Sequence, residues 1–112
     1  MDMTWVEVDI KAILHNIKEA RRKLGKGVKI CAVIKDNAYG HGLIPVAAAL
    51  QKGGVESLGI GDISEAITLR KNGIKLPILN LVSTFPFQAK DIVNNRISQS
   101  VSDLDIVRAL DR

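Results

Sequence analysis

The sequence predicts an α/β fold built on a parallel sheet. Two observations carry that prediction. Short apolar runs of strand length recur along the whole chain, and segments with helical apolar spacing separate them. The connections are short, and alternation at this spacing argues parallel strands joined by right-handed crossovers. The rhythm is one leading strand and helix, then four strand–helix units. An open four-stranded sheet, flavodoxin-like in outline, is the alternative to half of an eight-unit barrel.

The elements follow in order. Trp5 to Asp9 reads as the leading strand, and Asp9 suits a helix N-cap. Ile10, Ile13, Leu14, Ile17 and Leu24 keep helical spacing until Gly25 and Gly27 stop the helix. Ile30 to Ile34 is an apolar run with the look of a parallel strand buried on both faces. Leu43 to Lys52 is alanine-rich and helical, with Pro45 tolerated in the first turn and Gly53-Gly54 as its end. Glu56 to Ile60 is a strand. Asp62 to Glu65 then has capping-box spacing, and the helix it opens runs to Asn72-Gly73. Pro77 to Val82 is a strand, and Pro86 to Asn94 a weaker helix. Ile97 to Val101 alternates apolar and polar residues as a strand does. Ser102 is placed to cap a last helix carrying Leu104, Val107, Ala109 and Leu110.

Composition sets limits on function. The chain has 112 residues, of which 46% are hydrophobic and 25% charged, the balance of a globular domain. No apolar run approaches the ~20 residues that cross a bilayer. The start, Met1-Asp2-Met3-Thr4, has neither a basic segment nor an apolar core of the export type, so a cytoplasmic location is expected. The net charge of +4 is concentrated between Lys11 and Lys29. There it alternates with the apolar stripe of a helix, which argues a solvated face rather than a nucleic-acid surface. One cysteine, Cys31, excludes an internal disulfide, and its place in the apolar strand predicts a buried small hydrophobe. One cysteine and two distant histidines give no metal spacing. Gly59-Ile60-Gly61 begins a dinucleotide-like pattern, but Ser64 stands where it needs a third glycine.

The chemistry concentrates after the second strand. The run ends on Lys35, and lysine is almost never fully buried without a partner. The carboxyl ends of parallel strands are where ligands bind. A partly desolvated amine there is suited to attack a carbonyl and form a Schiff base. Tyr39, four residues on, offers a phenol to the same ligand. His41 is expected to hold the shape of the turn, and His15 to lie on the surface of the first helix.

The run Ala32-Val33-Ile34-Lys35-Asp36-Asn37-Ala38-Tyr39-Gly40-His41-Gly42 closely resembles the alanine racemase motif usually written AVVKANAYGHG, with Asp36 in place of alanine. Trp5 to Asp9 with His15-Asn16 is similar to that family's opening. Leu58-Gly59-Ile60, Glu65-Ala66, Leu69-Arg70, Asn72-Gly73-Ile74 and Pro77-Ile78-Leu79 resemble its next two units. The resemblance implies the N-terminal part of a TIM-type (β/α)8 barrel, since four units make half of a fold that needs about 250 residues. Residues 1–112 are then one partial domain, without the family's C-terminal β domain.

The resemblance also implies a PLP-dependent amino-acid racemase that interconverts L-alanine and D-alanine for the bacterial cell wall. Lys35 matches the lysine that carries pyridoxal 5′-phosphate (PLP) as an internal aldimine. Tyr39 matches the phenol that bonds the cofactor phosphate. The family's second acid/base, a tyrosine of the partner subunit, and the arginine facing the pyridine nitrogen have no match here. Arg70, Arg96 and Arg108 fit neither role. The chain alone is therefore expected to be inactive, and its open barrel edges are expected to drive homodimer formation or other self-association. Two other readings stand beside this one: a non-catalytic PLP-binding protein, and a ligand-free structural fragment. No metal, nucleic-acid or membrane partner is expected.

Overall fold

Asp9 caps the first helix, as its position suggests: its carboxylate accepts the Ala12 amide at 3.1 Å. That helix, α1, runs Ile10–Leu24 in the computed structural model, which describes residues 3–112. Met1 and Asp2, part of the start read above for an export signal, lie outside the described residues. Strands β1 (Cys31–Val33), β2 (Ser57–Ile60), β3 (Ile78–Asn80) and β4 (Ile97–Gln99) alternate with α2 (Leu43–Lys52), α3 (Ile63–Lys71), α4 (Ala89–Asn94) and α5 (Leu104–Asp111). All three strand pairings are parallel, in the order β1-β2-β3-β4. Four sequential strand–helix units are what the N-terminal part of a (β/α)8 barrel requires.

Strand periodicity decides which residues the helices cover. Ala32, Leu58, Ile78 and Ile97 lie in register across the sheet. Leu58, Ile78 and Ile97 are buried with Ile34, Ile60, Ala47, Leu50, Ala66, Leu69 and Ile92 in one core. The opposite face carries Cys31, Val33, Leu79, Leu81 and Ser98. It has no helix over it, so Val33 is 40% and Leu81 41% exposed. No helix is long and apolar enough to cross a membrane among the described residues.

Several expectations need correction. The leading strand is absent: residues 5–9 carry no regular secondary structure and pair with no strand, and Trp5 and Val6 are exposed. Backbone without a neighbouring strand has no ladder to join. Cys31 is exposed rather than buried, because it points to the uncovered face. For the same reason Ile30–Ile34 is not dry on both sides. The last helix is capped by Asp103, which accepts the Ile106 amide at 3.0 Å, and not by Ser102. The segment 86–94 divides into a 3₁₀ turn, Pro86–Gln88, and α4.

At the amino end of the sheet two arginines tie loops together. Arg70 donates to the carbonyls of Ile74, Leu76, Asn95 and Arg96. Burial, and then the neighbouring Arg96 guanidinium, push its pKa down. Arg21 donates to the carbonyls of Val28 and Gly54 and pairs with Glu56 at 2.8 Å. The bond from Arg21, and then the Ile30 amide, hold the Glu56 carboxyl below its ordinary range. These contacts sit at the end of the sheet opposite Lys35.

Candidate functional site

Lys35 leaves the carboxyl end of β1 on the uncovered face, two residues beyond Val33 and four beyond Cys31. Its stem lies against Gly61, just past β2. A Cβ built on Gly61 would sit 3.3 Å from Lys35 Cβ, 3.5 Å from Lys35 Cδ and 3.6 Å from Val82 Cγ2. Gly59, one step earlier on the same face, would bring a Cβ to 3.1 Å from Leu81 Cδ1 and 3.3 Å from Val33 Cγ2. The two glycines thus clear the floor beneath the lysine. Their i, i+2 spacing, noted in the sequence only as a failed dinucleotide pattern, is the signal for a strand face kept free of side chains.

The turn after Lys35 is left-handed. Asp36, Asn37, Ala38 and Tyr39 all have φ between 54° and 56°. Left-handed backbone costs non-glycine residues roughly 1–2 kcal/mol each, so local bonds must offset it. Ala38 N–H donates to Ile34 O at 2.9 Å, Gly42 N–H to Asn37 O at 3.0 Å, and His41 N–H to Ala38 O at 3.1 Å. The Asn37 side chain accepts the Leu43 amide at 2.8 Å, joining the turn to α2. The His41 ring Nδ1 lies 2.9 Å from Ala38 O, the shape-holding role expected of it. Gly40 and Gly42, at φ 88° and 95°, complete the reversal where side chains are disfavoured.

Glu65, in the first turn of α3, joins this turn to β2. Its Oε1 accepts the Gly61 amide at 3.1 Å and its Oε2 accepts the Asn37 amide at 3.3 Å. Capping-box spacing drew attention to this residue but gave it the wrong partner. Asp62 caps the helix through the Ser64 amide, while Glu65 reaches out of the helix instead of back to residue 62.

A cleft of about 300 Å³ opens next to Gly61, between it and Asn80, Thr84, Phe85 and Gln88. Asn80 is 1% exposed, and its amide donates to Gln99 Oε1 at 2.8 Å. Val82 O in turn accepts from Gln99 Nε2 at 2.8 Å. Lys35 is half-buried and Tyr39 is 59% exposed, so both side chains are accessible to solvent. His15 is exposed on α1, far along the chain from this end. Among the described residues no three His, Cys, Asp or Glu side chains group as metal ligands do.

Comparison with known proteins places the chain in one family. The family model described as "Alanine racemase, N-terminal domain" matches residues 8–112. The chain is 45% identical over 109 residues to alanine racemase 1 of Caldanaerobacter subterraneus subsp. tengcongensis, covering 97% of this chain and 28% of that protein. Alanine racemase of Bacillus anthracis, solved with bound L-Ala-P, superposes with a TM-score of 0.89 at 35% identity, over 95% of this chain and 28% of its own. Alanine racemase of Clostridium difficile 630, solved with cycloserine, gives 0.80 at 40% identity, over 90% of this chain and 26% of its own. The chain thus spans less than a third of the length of these relatives. The chain belongs to the alanine racemase N-terminal domain family.

Proposed function

We propose that this chain supplies the Lys35 half of the active site of a PLP-dependent amino-acid racemase acting on L- and D-alanine, and that residues 1–112 are one part of a larger barrel. The single observation that supports this most is the placement of Lys35 at the carboxyl end of β1 with its stem against Gly61, where no side chain crowds the lysine. Tyr39 Oη, on the same turn, fits a phosphate acceptor at the rim. PLP therefore suits the residues present, with Lys35 as the point of attachment and Tyr39 as a phosphate ligand.

The chemistry PLP supplies when bound is an electron sink for a carbanion at the substrate α-carbon. The protein's part is held in two groups. With PLP held there, the Lys35 amine would be the group that moves the proton at one face of the substrate α-carbon. Tyr39 fixes the orientation in which that face is presented. Racemisation also needs an acid/base on the opposite face, and Tyr39 is the one tyrosine in the chain. The chain alone accordingly binds PLP weakly and does not racemise, since groups that act as a unit lose nearly all activity when members are removed.

A cytoplasmic setting and D-alanine supply for the cell wall go with this reading. So does self-association: β1 and β4 each leave one edge unpaired in the sheet, and exposed edges recruit other strands. The test is a PLP titration of the chain and of Lys35→Ala, followed by the imine absorbance. A saturable band in the wild type that Lys35→Ala abolishes is expected. Equal absorbance in both overturns the assignment.

A further inference from the structure

We infer that Glu65 is a positioning residue for Lys35: one carboxylate fixes both the turn that follows the lysine and the glycine that lies beneath it. The inference rests on the reading of Lys35 as the attachment lysine.

Three observations carry it. The two oxygens of Glu65 divide between two different segments, Oε2 to Asn37 N–H and Oε1 to Gly61 N–H. Asn37 is two residues after Lys35, and Gly61 is the residue on which the Lys35 stem rests. Lys35 is thus bracketed through the backbone on one side and through packing on the other by the same side chain. Second, the turn is strained. Asp36, Asn37, Ala38 and Tyr39 are all left-handed without being glycine. Every other hydrogen bond to the turn, among the described residues, comes from positions 34–43, the adjoining start of α2 included; Glu65, 28 residues away in sequence, is its one tie beyond them. Local bonds move with the turn, whereas this one holds the turn against the sheet. Third, Glu65 is half-buried and ionised carboxylates bond amides strongly, so a neutral amide in its place cannot do the same work. Glutamine offers one oxygen and one NH₂, and the NH₂ must face a backbone N–H donor.

The test compares wild type, Glu65→Gln, Glu65→Asp and the double variant Glu65→Gln/Asp36→Gly. Asp36 is exposed with φ 54°, so glycine there removes the steric penalty of the left-handed turn without touching Glu65. Two readouts are taken: amide hydrogen exchange at Asn37 and Gly61, which needs no cofactor, and the rate at which PLP with borohydride labels Lys35. Glu65→Gln is expected to speed exchange at both amides about tenfold and slow labelling about tenfold. The double variant is expected to recover at least a third of the labelling rate, which a residue serving only as a helix cap would not allow. If Glu65→Gln does not fold, Glu65→Asp, which keeps the charge but is one methylene short, is expected to show the same two changes in smaller degree.

Wild-type exchange at Asn37 and Gly61 in a folded Glu65 variant overturns the inference, and so does slowed labelling that Asp36→Gly leaves unimproved. A wild-type chain that takes no label at Lys35 overturns the racemase reading instead. The exchange data still decide the clamp in that case: protection lost at the two amides in Glu65→Gln supports it, and protection kept refutes it.

Discussion

Adding one methyl group at Gly61 separates the stability of this fold from the reactivity of its lysine. No positive φ constrains Gly61, so alanine is compatible with the backbone, and its Cβ would lie 3.3 Å from Lys35 Cβ and 3.5 Å from Lys35 Cδ. Carbon pairs are at their optimum near 3.5–4.0 Å. The lysine stem must therefore retreat by a few tenths of an ångström, a repulsion of about 0.5 kcal/mol. Replacing glycine reduces the freedom of the unfolded chain and returns about 0.4–1 kcal/mol. The two nearly cancel, so Gly61→Ala is expected to melt within a few degrees of wild type. Reactivity has no such compensation. A shift of about 1 Å can cost on the order of 100-fold in a reaction that depends on alignment. A few tenths should slow labelling of Lys35 by PLP and borohydride about threefold. Gly61→Val, which adds two methyls to a Cβ already 3.6 Å from Val82 Cγ2, should slow it more than tenfold and destabilise the fold by about 1–3 kcal/mol. The assay pairs a thermal melt with the labelling rate for each variant. Wild-type labelling in both, with both folded, would refute the claim that Gly61 shapes the space around the amine.

Other predictions concern the frame. Arg70→Ala leaves the carbonyls of Ile74, Leu76, Asn95 and Arg96 without their shared donor, and should cost about 2–3 kcal/mol, read as a drop in melting temperature of roughly 10 °C. Glu56 has a folded-state pKa below its unfolded value near 4.5, so its contribution is fully present above that pH and fades as pH falls through the folded value. Glu56→Gln should therefore be less stable than wild type at pH 7, with the gap closing on acidification below about pH 4.5. Sedimentation at rising concentration should show species larger than the monomer, because β1 and β4 offer unpaired edges; a monodisperse monomer at high concentration would contradict it.

What the sequence disclosed, and what it hid, follows from how local each signal is. Helix limits were legible because they rest on neighbouring residues: Asp9 caps α1, Gly25 ends it, and Asn72-Gly73 ends α3. The strand order followed from alternation. The position of Lys35 at a strand end was legible, but its side of the sheet was not assigned. Burial of Cys31 was not legible, because an apolar run says nothing about whether both sheet faces are covered. The left-handed turn was hidden for another reason. Asp36 and Asn37 tolerate that conformation, but Ala38 and Tyr39 do not favour it. Besides its own backbone bonds, the contacts of Asn37 with Leu43 and with Glu65 hold it, and the second of these is tertiary. Glu65 was found by spacing and misassigned by it, since a capping box and a reach to another loop look alike in one dimension.

Peptide mapping after limited treatment with PLP and borohydride bears most directly on the central claim, that this chain presents one lysine amine to an aldehyde ligand at the mouth of its sheet. The pyridoxyl group is expected on Lys35 well before Lys11, Lys18, Lys52 or any other lysine of the chain. A label spread over the surface lysines in proportion to their exposure, with Lys35 no faster than the rest, would contradict it.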